Sequence, residues 1–300
     1  MSKQFILIGH PVGHSVSPAI HHAAYEQLGI DAQYRAVDCP DRAAVEAQVH
    51  ALRNGLIGGA NVTVPHKQLA FELADEIDPT AARVGVANVL ARTADGRIVA
   101  FNTDASALGE ELGQATRHAQ LTLEERPFAL VLGNGGAAKA AVVACQLAGV
   151  EQVLVTARKF DAGQERDRWP DAQAFIALGA KPVAWPSGAA HAHPVSELGE
   201  YLQKTHLIVQ ATSAGMKGAP GGDELVQALP WERFPRGVVY DLVYNPPMTP
   251  FLKHAVALGH HAVGGLGMLV GQASDAINIW LGAAPDRAPL LRAAREKLGL

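Results

Sequence analysis

Five apolar residues, Phe128-Ala129-Leu130-Val131-Leu132, run directly into Gly133-Asn134-Gly135-Gly136-Ala137-Ala138, and no other stretch restricts the fold of this chain so tightly. A short apolar run bounded by glycine reads as a fully buried strand, and the alanine-rich residues 137–147 read as the helix that follows it. The first glycine permits a tight turn and the second lets a pyrophosphate approach the backbone. Small Ala138 allows helix to pack closely on strand. A phosphate there meets free amides and the positive end of the helix dipole. An ordinary strand-turn-helix shares this pattern, so the surrounding alternation decides the reading.

That alternation is regular. In the first third, apolar runs at 5–9, 34–39, 60–64, 89–93 and 97–101 read as strands. Residues 18–28, 42–52, 66–74 and 106–114 read as helices, with Asp95-Gly96 turning a hairpin. The polar stretch 115–126 reads as a junction. Beyond it, strands at 128–132, 152–156, 207–211 and 238–242 form a second αβ set. Helices at 269–280 and 289–298 follow the glycine-rich 264–267, and residues 162–199 are placed only roughly. With 300 residues the chain divides into two domains. The fold class is α/β: an N-terminal αβ domain at 1–105 and a C-terminal dinucleotide-binding domain at 106–265.

A net charge of -4 argues against a nucleic-acid or anionic-membrane surface, and 48% hydrophobic residues are enough for two cores. No apolar stretch reaches the ~20 residues of a membrane span, and 5–8 is too short for a signal peptide. Cys39 and Cys145 lack metal-ligand spacing and suit a reducing compartment, with Cys145 read as a small buried hydrophobe. The chain is expected in the cytoplasm.

The end of the strand after the glycine turn selects the nucleotide. A carboxylate there would bind a ribose 2′-hydroxyl, whereas cations meet a 2′-phosphate. Here the strand ends Thr156-Ala157-Arg158-Lys159, which favours NADP. Asp161 keeps NAD open if its loop folds back.

A second constellation lies in the first domain. Asn61-Val62-Thr63-Val64-Pro65-His66-Lys67 alternates polar and apolar residues, as a strand does between core and cleft, and places a lysine at its end. Asn102-Thr103-Asp104 supplies a carboxylate, and a Lys/Asp pair can handle a proton beside a hydroxylated substrate. In an extended His14-Ser15-Val16-Ser17-Pro18, Ser15 and Ser17 point to one side, a carboxylate clamp at a helix N-terminus. The plainer alternative is that Ser17 caps that helix.

With these segments in view, the chain resembles the shikimate dehydrogenase family along nearly its whole length. The similar blocks are HSVSP, NVTVPHK, NTD, GNGGAAKAA, ATSAGM, YDLVYNPPMTPFL and GGLGMLVGQA, in family order and spacing. The resemblance implies an N-terminal substrate domain completed by 266–300, because the last helices return to it, and a Rossmann cofactor domain. It implies reduction of 3-dehydroshikimate to shikimate, or oxidation of quinate, with NADP or NAD. By motif, Ser15, Ser17 and Tyr244 would hold the substrate carboxylate, and Asn61 and Thr63 would line the pocket. Lys67 would transfer the proton with Asp104 paired to it. Asn88 would reach the ring and Gln272 a hydroxyl. Gly133, Asn134, Gly135, Gly136, Ala137, Arg158 and Lys159 would hold the nucleotide, with Thr212, Leu242 and Gly265 near the nicotinamide. The expected partner is the small-molecule substrate, bound by a monomer or homodimer.

Three blocks depart from the family pattern: His21-His22 replaces His-Asn, Val89 replaces the Thr after Asn88, and Ala105-Ser106-Ala107 follows NTD in place of glycines. The catalytic positions survive. These changes are compatible with a paralogue acting on quinate or an amino-substituted analogue. A non-catalytic sensor would be expected to lose Lys67 or Asp104, and a folate-linked reductase would lack HSVSP and NTD. The reaction needs neither metal nor covalent intermediate. The histidine pairs His21-His22, His191/His193 and His260-His261 lack ligand spacing and read as surface or capping residues.

Overall fold

The computed structural model describes residues 2–121, 128–186 and 197–300. The chain forms two compact units, one made of Met1–Ala107 with Gly267–Leu300 and the other of Leu108–Leu266.

In the first unit the elements run β1 (Lys3–Gly9), α1 (Ser17–Leu28), β2 (Ala32–Asp38), α2 (Arg42–Arg53), β3 (Gly59–Val62) and α3 (Lys67–Leu73). They continue with β4 (Glu76–Ile77), α4 (Pro79–Val84), β5 (Val89–Arg92), β6 (Ile98–Phe101) and the start of α5 (Asp104–His118). The sheet order is β2-β1-β3-β5-β6-β4. β1 lies parallel to both β2 and β3, and β5 runs antiparallel to β3 and β6. The apolar strand residues Ile6, Ile8, Ala60, Leu90 and Ile98 are buried with Leu52 of α2 in one core. Local signals set the helix ends: Gly29 closes α1 in the left-handed region, and the Asp41 side chain accepts from the Ala44 amide to open α2.

The second unit contains β7 (Phe128–Leu132), α6 (Gly136–Leu147), β8 (Gln152–Thr156), α7 (Ala172–Ala177), β9 (Lys181–Pro182) and α8 (Glu197–Leu202). It continues through β10 (Thr205–Gln210), α9 (Gly222–Ala228), β11 (Val238–Asp241), α10 (Pro250–Ala257) and β12 (His261–Gly264). Its strands are all parallel, in the order β12-β11-β10-β7-β8-β9. That is a doubly wound order, and its topological switch lies between β7 and β10. Leu130, Leu132, Leu154, Ile208, Val239 and Phe251 fill its core. The chain then returns to the first unit with α11 (Leu266–Leu281) and α12 (Arg287–Leu298).

Several boundaries differ from the sequence expectation. The helix expected at 106–114 runs from Asp104 to His118, because Asn102 Oδ1 accepts from the amides of Asp104 (3.1 Å) and Ala105 (3.2 Å) and starts it early. Residues 115–118, expected in a polar junction, therefore finish this helix, with Ala115 and Thr116 buried. Residues 122–126 of that junction lie outside the described residues. The glycine-rich 264–267 ends sooner than expected, since α11 already begins at Leu266. Strand β3 stops at Val62, because the chain turns there and the His66 amide bonds to Thr63 O at 2.9 Å.

Candidate active site

Lys67 is the first residue of α3 rather than the end of a strand, and its backbone is held from both sides. The ring of His66 bonds through Nε2 to Cys39 O at 2.6 Å, and Ala87 N donates to Lys67 O at 3.0 Å. From this position Nζ donates to Oδ2 of Asp104 at 2.5 Å, with the two side chains 17% and 9% exposed. An ion pair so little exposed is costly to desolvate unless its remaining atoms are bonded. The other carboxylate oxygen, Oδ1, accepts from Asn88 Nδ2 at 2.9 Å.

Asn88 is itself fully committed. Its second amide hydrogen goes to Thr103 Oγ1 at 3.0 Å, and its Oδ1 accepts the Thr103 amide at 2.8 Å. The Thr103 hydroxyl in turn donates to the backbone carbonyl of Gln272 on α11, at 3.1 Å. This network fixes the rotamer of Asp104 and aims Oδ2 at Lys67. Asn88, expected at the substrate ring, also orients Asp104 with one of its amide hydrogens.

Asn61 sits on β3 and is buried, and its Oδ1 accepts the Tyr34 hydroxyl at 2.7 Å. Tyr34 is stacked on His21, with ring centroids 3.8 Å apart and planes 8° from parallel. His21 is completely buried, which corrects its expected surface or capping role. Burial pushes its pKa down to about 3, with His22 adding to the shift. Nδ1 of His21 meets the Tyr25 hydroxyl at 3.3 Å, while Nε2 has no hydrogen-bond partner among the described residues. Tyr34 did not stand out in the sequence, although an aromatic facing inward on an edge strand is a signal for such a contact.

The serine segment is not extended. Ser15 N bonds to Val12 O at 3.1 Å, and Val16 has right-handed helical angles of φ -86° and ψ -16°. The alternation argument for Ser15 and Ser17 therefore does not hold, because a turn replaces the strand. The capping alternative fails too: α1 has no side-chain cap, and Ser15 Oγ instead accepts the Ser17 amide at 3.2 Å. Ser17 is buried and Ser15 half-buried, while Thr63 is half-buried. Gln272 is buried on α11, with Nε2 donating to Leu269 O at 2.9 Å.

In the second unit the glycine turn stands at the switch between β7 and β10. Gly133 has φ 130°, and a Cβ there would lie 3.0 Å from Ala211 O and 3.2 Å from the Thr212 methyl. Only glycine fits. Gly135 precedes α6 with no atom within 4 Å of where a Cβ would stand, and Ala138 is fully buried against the sheet. This open, backbone-lined cradle at a helix N-terminus fits a dinucleotide pyrophosphate. Asn134 beside it reaches Asp171 at 3.4 Å. Arg158 and Lys159 follow β8 and are exposed, while Phe160 behind them is buried and stacked on Trp169 at 5.1 Å. The Asp161 carboxylate turns into its own loop and accepts the Gly163 amide at 2.9 Å. Leu242 leads out of β11 with its carbonyl against Gly265. Two residues on, burial raises the Tyr244 phenol above its usual range.

His191 and His193 lie outside the described residues. Among the described residues, no group of three or more His, Cys, Asp or Glu could hold a metal ion. His22 Nε2 accepts the Tyr34 amide at 3.2 Å, and His260 Nδ1 accepts that of Gly237 at 3.3 Å. Cys145 is fully buried, and burial pushes its thiol up to about 12.

Comparison with known proteins gives a consistent result. Residues 7–90 match the family model for the shikimate dehydrogenase substrate binding domain. The shikimate dehydrogenase (NADP(+)) of Synechococcus sp. (strain JA-2-3B'a(2-13)) is 35% identical, covering 97% of this chain and 93% of that protein. The enzyme of the same description from Sinorhizobium fredii is 36% identical, covering 92% and 88%. Among solved structures, shikimate 5-dehydrogenase from Thermus thermophilus, in complex with NADP(H) and shikimate, superimposes with a TM-score of 0.78. It is 34% identical and covers 99% of this chain and all of its own, 100%.

Proposed function

Since this chain belongs to the shikimate dehydrogenase family, we propose that it catalyses the reversible, NADP-dependent reduction of 3-dehydroshikimate to shikimate. The observation that carries this reading is the Lys67–Asp104 pair, held at 2.5 Å with its second oxygen anchored by Asn88. When bound, NADPH supplies the hydride to the ring carbonyl carbon. The Lys67 ammonium protonates the oxygen as it becomes negative, and its charge stabilises the oxyanion beforehand. Asp104 keeps Nζ in place and balances its charge.

Ser15, Ser17 and Tyr244 take the substrate carboxylate, Asn61 and Thr63 line the pocket, and Gln272 meets a ring hydroxyl. The cradle of Gly133 to Ala137 takes the pyrophosphate, with Thr212, Leu242 and Gly265 toward the nicotinamide. Arg158 and Lys159 take the 2′-phosphate. Asp161 is occupied within its own loop, which supports NADP over NAD. In this reading the substrate domain is 1–105 with 266–300 and the cofactor domain is 106–265. The protein works as a cytoplasmic monomer or homodimer, a reading supported by its two cysteines, which are buried free thiols. No helix among the described residues is long and apolar enough to cross a membrane.

Steady-state oxidation of shikimate and of quinate, each with NADP and NAD, tests the assignment. Shikimate with NADP is expected to give the highest kcat/KM. Faster quinate turnover would move the enzyme to the quinate branch of the family, and no turnover of either acid would remove the activity.

A further inference from the structure

Three polar side chains inside the second unit are completely buried: Gln210 at the end of β10, Asp241 at the end of β11, and Thr249 just before α10. Polar groups in such positions are costly unless they find partners. These find each other. Gln210 Nε2 donates to Asp241 Oδ1 at 3.2 Å, and the Thr249 hydroxyl donates to Asp241 Oδ2 at 2.7 Å.

Their remaining bonds run to loop backbone. Asp241 Oδ1 also accepts the Val243 amide at 2.9 Å, and Gln210 Nε2 reaches Ala214 O at 3.0 Å. The Thr212 amide donates to Gln210 Oε1, and Leu242 N donates to the Gln210 carbonyl at 2.9 Å. Thr249 Oγ1 accepts the Leu252 amide at 3.2 Å and so caps α10. One buried cluster thereby ties down both loops leaving β10 and β11, residues 211–214 and 242–249. The first of these loops supplies the carbonyl against which Gly133 is packed. Burial pushes the Asp241 carboxyl up to about 6 against the pull of Thr249 and Val243. An apolar trio would avoid that cost but would leave the Thr212 and Val243 amides without acceptors.

We propose that Gln210, Asp241 and Thr249 are positioning residues for the cofactor: they set Thr212 against the Gly133 turn and Leu242 against Gly265, and so determine NADP affinity. The inference rests on the cofactor reading of that turn. It is tested by calorimetric titration of the intact protein with NADP alone, at a temperature where circular dichroism shows every variant folded. Thr249→Val keeps the shape and removes the hydroxyl, and is expected to weaken NADP binding tenfold or more. Thr249→Ser restores the hydroxyl and should bind within about threefold of wild type. Asp241→Ala should match Thr249→Val, and if it fails to fold the two Thr249 variants decide. Wild-type affinity in folded Thr249→Val, or equal weakening in Thr249→Ser, would overturn the inference and leave the cluster a structural one. A wild type that binds no NADP would overturn the cofactor reading itself. A wild type that binds NADP but leaves shikimate unoxidised would remove only the substrate assignment.

Discussion

The Lys67 ammonium donates to Asp104 Oδ2 at 2.5 Å, from the first turn of one helix to the first residue of another, 37 positions later in the chain. Neither residue has to find the other by chance of rotamer. His66 and Ala87 fix the lysine backbone, while Asn88 and Asn102 fix the aspartate side chain and amide. Holding two reacting groups in place is where much of an enzyme's rate originates.

On the proposed reading Lys67 is the proton donor, so its removal should show in turnover. Lys67→Ala is expected to lower kcat roughly 10²–10⁴-fold with a smaller change in KM. Steady-state kinetics of the folded variant decide it, and turnover near wild type would take Lys67 out of the mechanism.

Arg158 should read the nucleotide. Its side chain is exposed, two residues before the anchored Phe160. Arg158→Ala is expected to raise KM for NADP about tenfold or more and to leave NAD almost unchanged, because only a phosphate contact of roughly 1.5–3 kcal/mol is lost. Equal losses with both nucleotides would make its role structural.

The serines separate by stability in an order opposite to that expected of a cap. Ser15 Oγ holds the Ser17 amide at 3.2 Å, so Ser15→Ala should cost about 0.5–1.5 kcal/mol of stability, and Ser17→Ala should cost less. Both should raise substrate KM. Thermal melts and kinetics read the two effects independently. A methyl ester that bound as tightly as the acid would sink the carboxylate role, since the ester keeps the ring hydroxyls and loses only the charge.

His21 gives the first unit an acid-sensitive element. Its folded-state pKa near 3 lies below the ordinary 6.5, so the unfolded chain takes up a proton first as pH falls. Stability is full above pH 6.5 and is lost progressively as pH falls toward 3. His21→Phe keeps a ring against Tyr34 and removes the titration. Between about pH 7 and pH 4.5 the variant should lose about 2–3 kcal/mol less stability than wild type. Denaturant melts at the two pH values measure this, and parallel losses would show that other groups drive the acid response.

The sequence disclosed β7 and β8 to the residue, at 128–132 and 152–156, because an uninterrupted apolar run ending in glycine or a cationic loop has few other solutions. It also brought Lys67 and Asp104 together through motif. At 14–18 the alternating pattern misleads, because Val16 turns the chain. The buried polar contacts were silent. Gln210 and Asp241 each end an apolar strand, and a polar residue there looks like the start of a loop until its partner across the sheet is known. Helix α10 was within reach, since Thr249-Pro250 is a capping residue followed by a first-turn proline.

Trp280 lies near the end of α11, yet its indole occupies the space that Gly59 leaves beside β3 and donates to Leu90 O at 3.1 Å. It also stacks on Phe5, with ring centroids 5.0 Å apart. The first unit is thus built from two segments, Met1–Ala107 and Gly267–Leu300, that are separated in the chain by the whole of the other unit. The unit formed by Leu108–Leu266 is contiguous, so it can fold while the ribosome is still at work. Until Trp280 emerges, the nascent N-terminal sheet carries an open apolar slot over Phe5 and Gly59. The unit that contains β1 is therefore completed only after the contiguous unit between its two segments has been made.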